Sequence, residues 1–201
     1  MPRIGIFGGS FNPIHIAHLV VADRFVEQLG LESCYFVPAA HPPLKPSANS
    51  ELAPAEHRLA MVQLATREHP RFCTEACEIR RGGISYTVDT IAEFRQRFST
   101  AELFLLLGAD QAMEFHLWHR WREIAQQVRL CIAPRPGVDE SELRQHLMTL
   151  GLLEAIILEV PLLAISSTDI RSRLARGLSI RYVVPDTVRD YIYAHRLYVA
   201  P

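Results

Sequence analysis

Residues 8–18 read Gly8-Gly9-Ser10-Phe11-Asn12-Pro13-Ile14-His15-Ile16-Ala17-His18, a pair of glycines followed by two histidines three apart. Successive glycines remove side chains where a backbone must approach a bulky anion. The histidine spacing puts both rings on one face of a helix beginning near Pro13. The N-terminal N–H groups and positive dipole end of such a helix favour phosphate. Imidazoles placed there can donate hydrogen bonds to phosphate oxygens and stabilise charge that builds up during a transfer reaction. The same residues also fit an ordinary Gly-Gly turn followed by structural histidines. The loop is neither G-x-G-x-x-G nor G-x-x-x-x-G-K-[ST], which disfavours a dinucleotide-dependent dehydrogenase and a P-loop kinase.

A second candidate lies near the other end of the chain, in Ile165-Ser166-Ser167-Thr168-Asp169-Ile170-Arg171. Ser166 with Asp169 three residues on is a capping box, which stabilises a helix start by about 1 kcal/mol. That does not exclude chemistry, because a helix N-terminus with hydroxyls and Arg171 nearby can also hold phosphates. Trp118 offers a flat indole face on which an aromatic ring could stack. Phe115, Trp118 and Trp121 equally suit core positions at helical spacing.

These residues need a scaffold, and the chain reads as alternating strands and helices. Arg3 to Phe7, Cys34 to Val37, Phe72 to Ile79, Leu103 to Leu107, Val128 to Ala133 and Ala155 to Val160 are the expected strands. Helical patterning covers Ile14 to Leu29, the stretch around Leu59 to Leu64 and Val88 to Phe98, and returns at Glu140 to Leu150, Thr168 to Arg176 and Thr187 to His195. Continuous apolar strands with helices between them imply an α/β fold, doubly wound around a mostly parallel sheet covered on both faces. Ligands in such folds sit at the carboxyl ends of the strands. The loops after Phe7, Val37, Leu107, Ala133 and Val160 are therefore where chemistry is expected. Residues 38–54 hold five prolines and two serines, too broken for a regular element, and such long loops in compact domains are usually functional or disordered.

Composition narrows the class. Two hundred and one residues, 49% hydrophobic and 21% charged, suit a single domain, 1–201, able to bury a core without staples. The formal net charge of −1 provides no general field for nucleic acid or an anionic membrane. No apolar run approaches the ~18 residues of a bilayer span. The start breaks at Gly8-Gly9 before a signal-peptide core could form, so a cytoplasmic chain is expected. Four cysteines, Cys34, Cys73, Cys77 and Cys131, form no C-x-x-C pair, and neither a zinc site nor a disulfide framework is expected. Twenty arginines accompany a single lysine, Lys45, in the proline-rich loop.

The run Gly8 to His18 resembles the GGxFDPxHxGH signature of nucleotidyltransferases that couple a phosphate monoester to a nucleoside triphosphate. Asn12 stands where many members have Asp, and Ala17 where most have Gly. Ile165 to Arg171 matches the second signature, ISSTxIR, at every fixed position. Further runs resemble bacterial nicotinate mononucleotide adenylyltransferases: Pro42-Pro43-Leu44-Lys45, Ser85 to Thr90, Leu107 to Asp110 with Trp118 and Trp121, Arg135-Pro136-Gly137, and Tyr182 to Tyr198. Leu44 departs from a Pro-Pro-His-Lys run, which leaves Lys45 to carry more of any phosphate contact.

The resemblance implies a Rossmann-like nucleotidyltransferase fold and adenylyl transfer from ATP to nicotinate mononucleotide, giving deamido-NAD and pyrophosphate. ATP would be held by Gly8, Gly9, Ser10 and Phe11, by Ser166, Ser167 and Thr168, and by Arg135. His15, His18, Lys45 and Arg171 would act on the phosphates. Asn12, Tyr86, Thr87, Asp110 and Trp118 would bind the acceptor, with Asp110 on a ribose and Tyr86 and Thr87 donating to the nicotinate carboxylate. Mg²⁺ would arrive bound to ATP, with no protein metal ligands, and an oligomer is possible. Two other readings stay open: the same chemistry on nicotinamide mononucleotide or phosphopantetheine, and a non-catalytic nucleotide sensor.

Overall fold

In the computed structural model, residues 1–43 and 52–199 are described. Their apolar runs become β1 (Arg3–Gly9), β2 (Ser33–Pro38), β3 (Phe72–Thr74), β4 (Glu102–Gly108), β5 (Arg129–Ala133) and β6 (Ile156–Ile157). These six strands form one sheet in the order β3-β2-β1-β4-β5-β6, and every neighbouring pair is parallel. The order reverses between β1 and β4, so their carboxyl ends open a crevice at the point where such folds bind ligands.

Strand side chains alternate between two cores, as a period of two requires. Phe7, Phe36, Phe104, Leu106 and Cys131 face one, with Phe25 and Val26 of α1 (Ile16–Leu29), Ile170 of α8 (Ser167–Ala175) and Val188 of α9 (Asp186–Ala194). Ile6, Val37, Leu105, Leu107 and Ile132 face the other, with Ile91 of α4 (Thr87–Arg97), Ile124 of α6 (Trp121–Gln127) and Leu143 of α7 (Glu140–Thr149). A Cβ on Gly5 would fall 2.6 Å from the Phe25 ring. That glycine is what lets α1 lie close against β1. No helix among the described residues is long and apolar enough to cross a membrane.

The expected strand from Phe72 to Ile79 is in fact two elements. β3 stops at Thr74, and α3 (Cys77–Arg81) follows with Cys77 and Glu78 buried side by side. Apolar residues at 72, 73, 76, 77 and 79 satisfy neither period cleanly, and a run this short is ambiguous between them. The Glu75 N–H bonds to Phe36 O, and the Gly82 N–H then closes the helical turn on Glu78 O. The strand expected from Ala155 to Val160 pairs only at Ile156 and Ile157. Two further short helices, α5 (Ala109–Met113) and α6, have no counterpart in the sequence expectations, nor does the 3₁₀ turn Phe115–Leu117. The stretch around Leu59 to Leu64 lies inside α2 (Ala55–Thr66).

Candidate active site

A cleft of about 360 Å³ opens at the β1/β4 crevice. Gly8, Gly9, Ser10 and Phe11 line it from the loop after β1, and His15, Ala17 and His18 from the start of α1. Ser166, Ser167 and Thr168 join them from the N-terminus of α8, while Asp110 and Arg135 come from the loops after β4 and β5. The two signatures from opposite ends of the chain thus share one cavity. A Cβ on Gly8 would meet no protein atom within 4 Å, so this backbone presents itself directly to the open space.

Helix α1 begins at Ile16, two residues later than the expected start at Ile14, with His15 as its extended N-cap. The histidines meet by stacking, with ring centroids 3.6 Å apart and planes inclined by 18°. The backbone N–H of His15 donates to Nδ1 of His18 at 3.2 Å. With Nδ1 accepting, the neutral His18 ring carries its proton on Nε2. Phe7 and Phe11 hold that ring edge-on, at 5.9 and 5.2 Å between centroids. Phe11 does so from a left-handed backbone, φ 44°.

Burial lowers the His15 pKa to about 4, and the Arg135 guanidinium adds to the effect. His15 is therefore neutral at pH 7 and can serve as a donor or acceptor but not as a resident cation. This has a consequence for stability. Between pH 6.5 and about 4 the unfolded chain takes up a proton at this ring while the folded chain does not, so stability falls as pH falls through that window. We expect His15→Asn to flatten the decline in unfolding free energy between pH 6.5 and 4.5 by about 2–3 kcal/mol relative to the parent chain. Identical pH profiles for the two proteins, measured without nucleotide, would show that the ring is not held neutral.

Two contacts tie α8 to the first loop: the Ser167 hydroxyl donates to Pro13 O at 2.9 Å, and Arg171 Nη1 donates to Asn12 O at 3.0 Å. Arg171 is not among the residues lining the cleft. The Ser166 hydroxyl accepts the Asp169 N–H at 3.1 Å, the capping expected of it. Asp110 and Arg135 form a half-exposed ion pair at 2.8 Å beside the cavity. Asp110 is not a helix cap, because Gly108 occupies that position in α5. Val21, Leu163 and Ile165 also line the cavity and give it apolar wall suited to a heterocyclic base.

Thr87 and Trp118 sit apart from these residues and line a small neighbouring cavity of about 20 Å³, with Gly8 between the two spaces. Trp118 lies in extended backbone after the 3₁₀ turn, and Trp121 opens α6 against Phe115. Tyr86 precedes α4 and packs against the His119 ring, 4.4 Å between centroids. Lys45 lies outside the described residues.

Sequence reasoning missed the group that fixes this geometry. Arg58 of α2 is 1% exposed. Its fork donates to Ala53 O at 2.9 Å, Ser10 O at 2.8 Å and Ala40 O at 3.1 Å, joining the loops after β1 and β2 to the start of α2. Asn12 Oδ1 accepts from the Ala53 N–H at 3.0 Å and from the Tyr198 hydroxyl at 2.8 Å. A signal for Arg58 exists in the sequence: it shares the 3–4 spacing of Met61, Val62 and Thr66, the other buried residues of α2.

A doubly wound parallel sheet, with a glycine loop, paired histidines and a second helix N-terminus converging at its switch point, defines a nucleotide-binding α/β protein. The chain belongs to the cytidylyltransferase-like family, whose pattern matches residues 6–173. A Salinibacter ruber protein named "Probable nicotinate-nucleotide adenylyltransferase" is 41% identical over 97% of both chains. A protein of the same name from Thermomicrobium roseum is 42% identical over 98% of this chain and 92% of its own. Among solved structures, the Plasmodium falciparum nicotinic acid mononucleotide adenylyltransferase complexed with NaAD superimposes with a TM-score of 0.82. It is 19% identical over 98% of each chain.

Proposed function

We infer that this chain transfers the adenylyl group of ATP to nicotinate mononucleotide, forming deamido-NAD and pyrophosphate. The observation that carries the reading is the convergence of Gly8 to His18 and Ser166 to Thr168 on one cleft, in a chain about 40% identical over nearly its whole length to proteins named for that activity. The acceptor's 5′-phosphate oxygen attacks the α-phosphorus in line, forming a new P–O bond as the bond to the β-phosphate breaks. The attacking oxygen is already ionised at pH 7, so no protein nucleophile is required. The work left to the protein is positioning and charge stabilisation.

In this proposal the backbone of Gly8, Gly9 and Ser10 approaches the phosphates, with Phe11 holding the loop from beneath. His15 and His18 donate to the transferring group. The N-terminal amides of α8, at Ser166 to Thr168, hold the triphosphate with Arg135, while Lys45 and Arg171 add positive charge. The Ser167 hydroxyl donates to Pro13 O, which favours an amide rather than a hydroxyl contact at that residue. Magnesium enters with ATP, because the groups around the cleft are chiefly imidazoles, amides and a guanidinium, with Asp110 the carboxylate among them. Asp110 would hold a ribose, Asn12 the loop beside the acceptor, and Tyr86, Thr87 and Trp118 the pyridine ring. A cytoplasmic setting fits this chemistry.

Pyrophosphate release from Mg–ATP with a panel of acceptors tests the reaction. We expect kcat/KM for nicotinate mononucleotide at least about tenfold above that for nicotinamide mononucleotide, since a carboxamide brings its own donor to a site built of donors and leaves one unpaired, at about 1–3 kcal/mol. Equal values for the two would remove the acid preference from this reading. ATP binding with no pyrophosphate from any acceptor would make the chain a sensor.

A further inference from the structure

Among the buried ionisable groups that the mechanism leaves unused, Glu78 borders the small cavity proposed for the acceptor. Glu78 of α3 is 6% exposed and lines the same small space as Gly8, Thr87, Thr90 and Trp118. Its direct partners are hydroxyls: Thr90 Oγ1 donates to Oε1 at 2.7 Å, and the Ser85 side chain also bonds to the carboxyl. The nearby guanidinium is spoken for, because Arg81 pairs with Glu93 and turns its other nitrogen to Thr90 Oγ1 at 3.1 Å. The buried Arg58 guanidinium also acts on Glu78 through space, but among the described residues no cation is a direct hydrogen-bond partner of its carboxyl. A buried carboxylate without a direct cation is expensive unless a cation visits it.

The proposed acceptor supplies such a cation. In a nicotinate mononucleotide the ring nitrogen is bonded to ribose, so the ring is a pyridinium with a full positive charge. We propose that the Glu78 carboxylate recognises this ring charge and that, with the Trp118 indole face, it makes the small cavity a receptor for a planar cation. Indole faces attract cations as well as stack on rings. The opposite charge of the acceptor, its carboxylate, would meet the N-terminal end of α4 at Thr87, where donors and the helix dipole favour an anion. The subsite would thus be as dipolar as the ring it holds.

Burial pushes the Glu78 carboxyl above its ordinary range, while the Thr90 and Ser85 hydroxyls and Arg81 pull it back. A pyridinium in the cavity would favour the ionised form further. At about 20 Å³ the space holds roughly one water, so a ring fits only as the cavity widens, while the Thr90 and Ser85 hydroxyls hold Glu78 in place.

This inference rests on the acceptor being a pyridine mononucleotide, and its test separates the two. The probes are nicotinate mononucleotide and its 1,4-dihydropyridine form, which keeps the carboxylate, ribose and phosphate but carries no ring charge. Affinity is read by quenching of indole fluorescence and turnover by pyrophosphate release. The parent chain should bind the charged ring at least about tenfold more tightly, and Glu78→Gln should shrink that ratio about tenfold. Both forms weakening equally in the variant would make Glu78 a frame residue for Ser85 and Thr90 and overturn the proposal. If the variant does not fold, the parent chain still decides, because equal affinity for the two rings overturns the idea alone. Tight binding with a charge preference but no turnover would count against the proposed reaction and leave the charge recognition standing.

Discussion

His18→Ala should lower kcat by about 10²–10³ while the protein stays folded. The ring's Nδ1 takes the His15 backbone N–H, which leaves the neutral ring's proton on Nε2, the nitrogen that can donate. A donor aimed where charge develops in a transfer step is typically worth that factor when removed. The alanine also deprives the N-cap amide of its acceptor, at about 1 kcal/mol of stability, too little to unfold a domain of this size. His18→Asn separates the two effects, since its carboxamide can restore the bond to the His15 amide. Its unfolding free energy should return to that of the parent while its turnover does not. His15→Ala should lose activity by a similar factor, because its ring is stacked on His18 at 3.6 Å. Near-normal turnover in either alanine variant would reduce that histidine to packing between Phe7, Phe11 and the cleft.

The parts of the fold that could be read from residues alone were those where a single physical demand governs many positions. β1 and β4 are buried on both faces, so Ile4 to Phe7 and Leu103 to Leu107 had to be continuous apolar runs, and each ends at glycine where the backbone meets the cleft. The place of the Gly8 to His18 loop at the cleft was legible because its glycines and histidines lie close together in sequence, directly after a buried strand. Short elements were not legible in this way. Five residues of α3 or three of β3 are too few for a period to declare itself, and long-range hydrogen bonds decide between them.

The charged and polar residues that hold the site together were hidden for a different reason. Arginine at a helical position ordinarily reads as solvated surface, and a tyrosine near the end of the chain as decoration. Arg58 instead reaches back to Ser10, 48 residues away, and Tyr198 to Asn12, 186 residues away. Nothing local announces contacts of that span. Glu78 is the same case, a carboxylate buried beside Thr87 and Trp118 in the small neighbouring cavity.

Replacing Arg58 should have the largest effect on stability of any single change at the site. Among the described residues, the guanidinium has no carboxylate as a hydrogen-bond partner. It is held by three backbone carbonyls, those of Ser10, Ala40 and Ala53, and burial pulls its pKa down against the pull of Tyr198, Glu56 and Glu78. Arginine nevertheless stays charged in proteins, so its positive charge lies directly beneath the loop proposed to meet phosphate. Arg58→Met fills much of the same volume but leaves three carbonyls without their donor, at about 1–3 kcal/mol each when buried. We expect a loss of about 3–5 kcal/mol in unfolding free energy, a large share of the 5–15 kcal/mol typical of a folded domain. Arg58→Lys keeps the charge but replaces a rigid fork with one ammonium, which cannot reach all three acceptor carbonyls on their separate segments. It should fall between the parent and the methionine variant in stability, and below the parent in turnover because the Ser10 carbonyl is no longer fixed. Denaturant unfolding of the three proteins, with unchanged denaturant dependence, orders them. A methionine variant within about 1 kcal/mol of the parent would mean the carbonyls find other donors, and that the fork does not hold the two loops together.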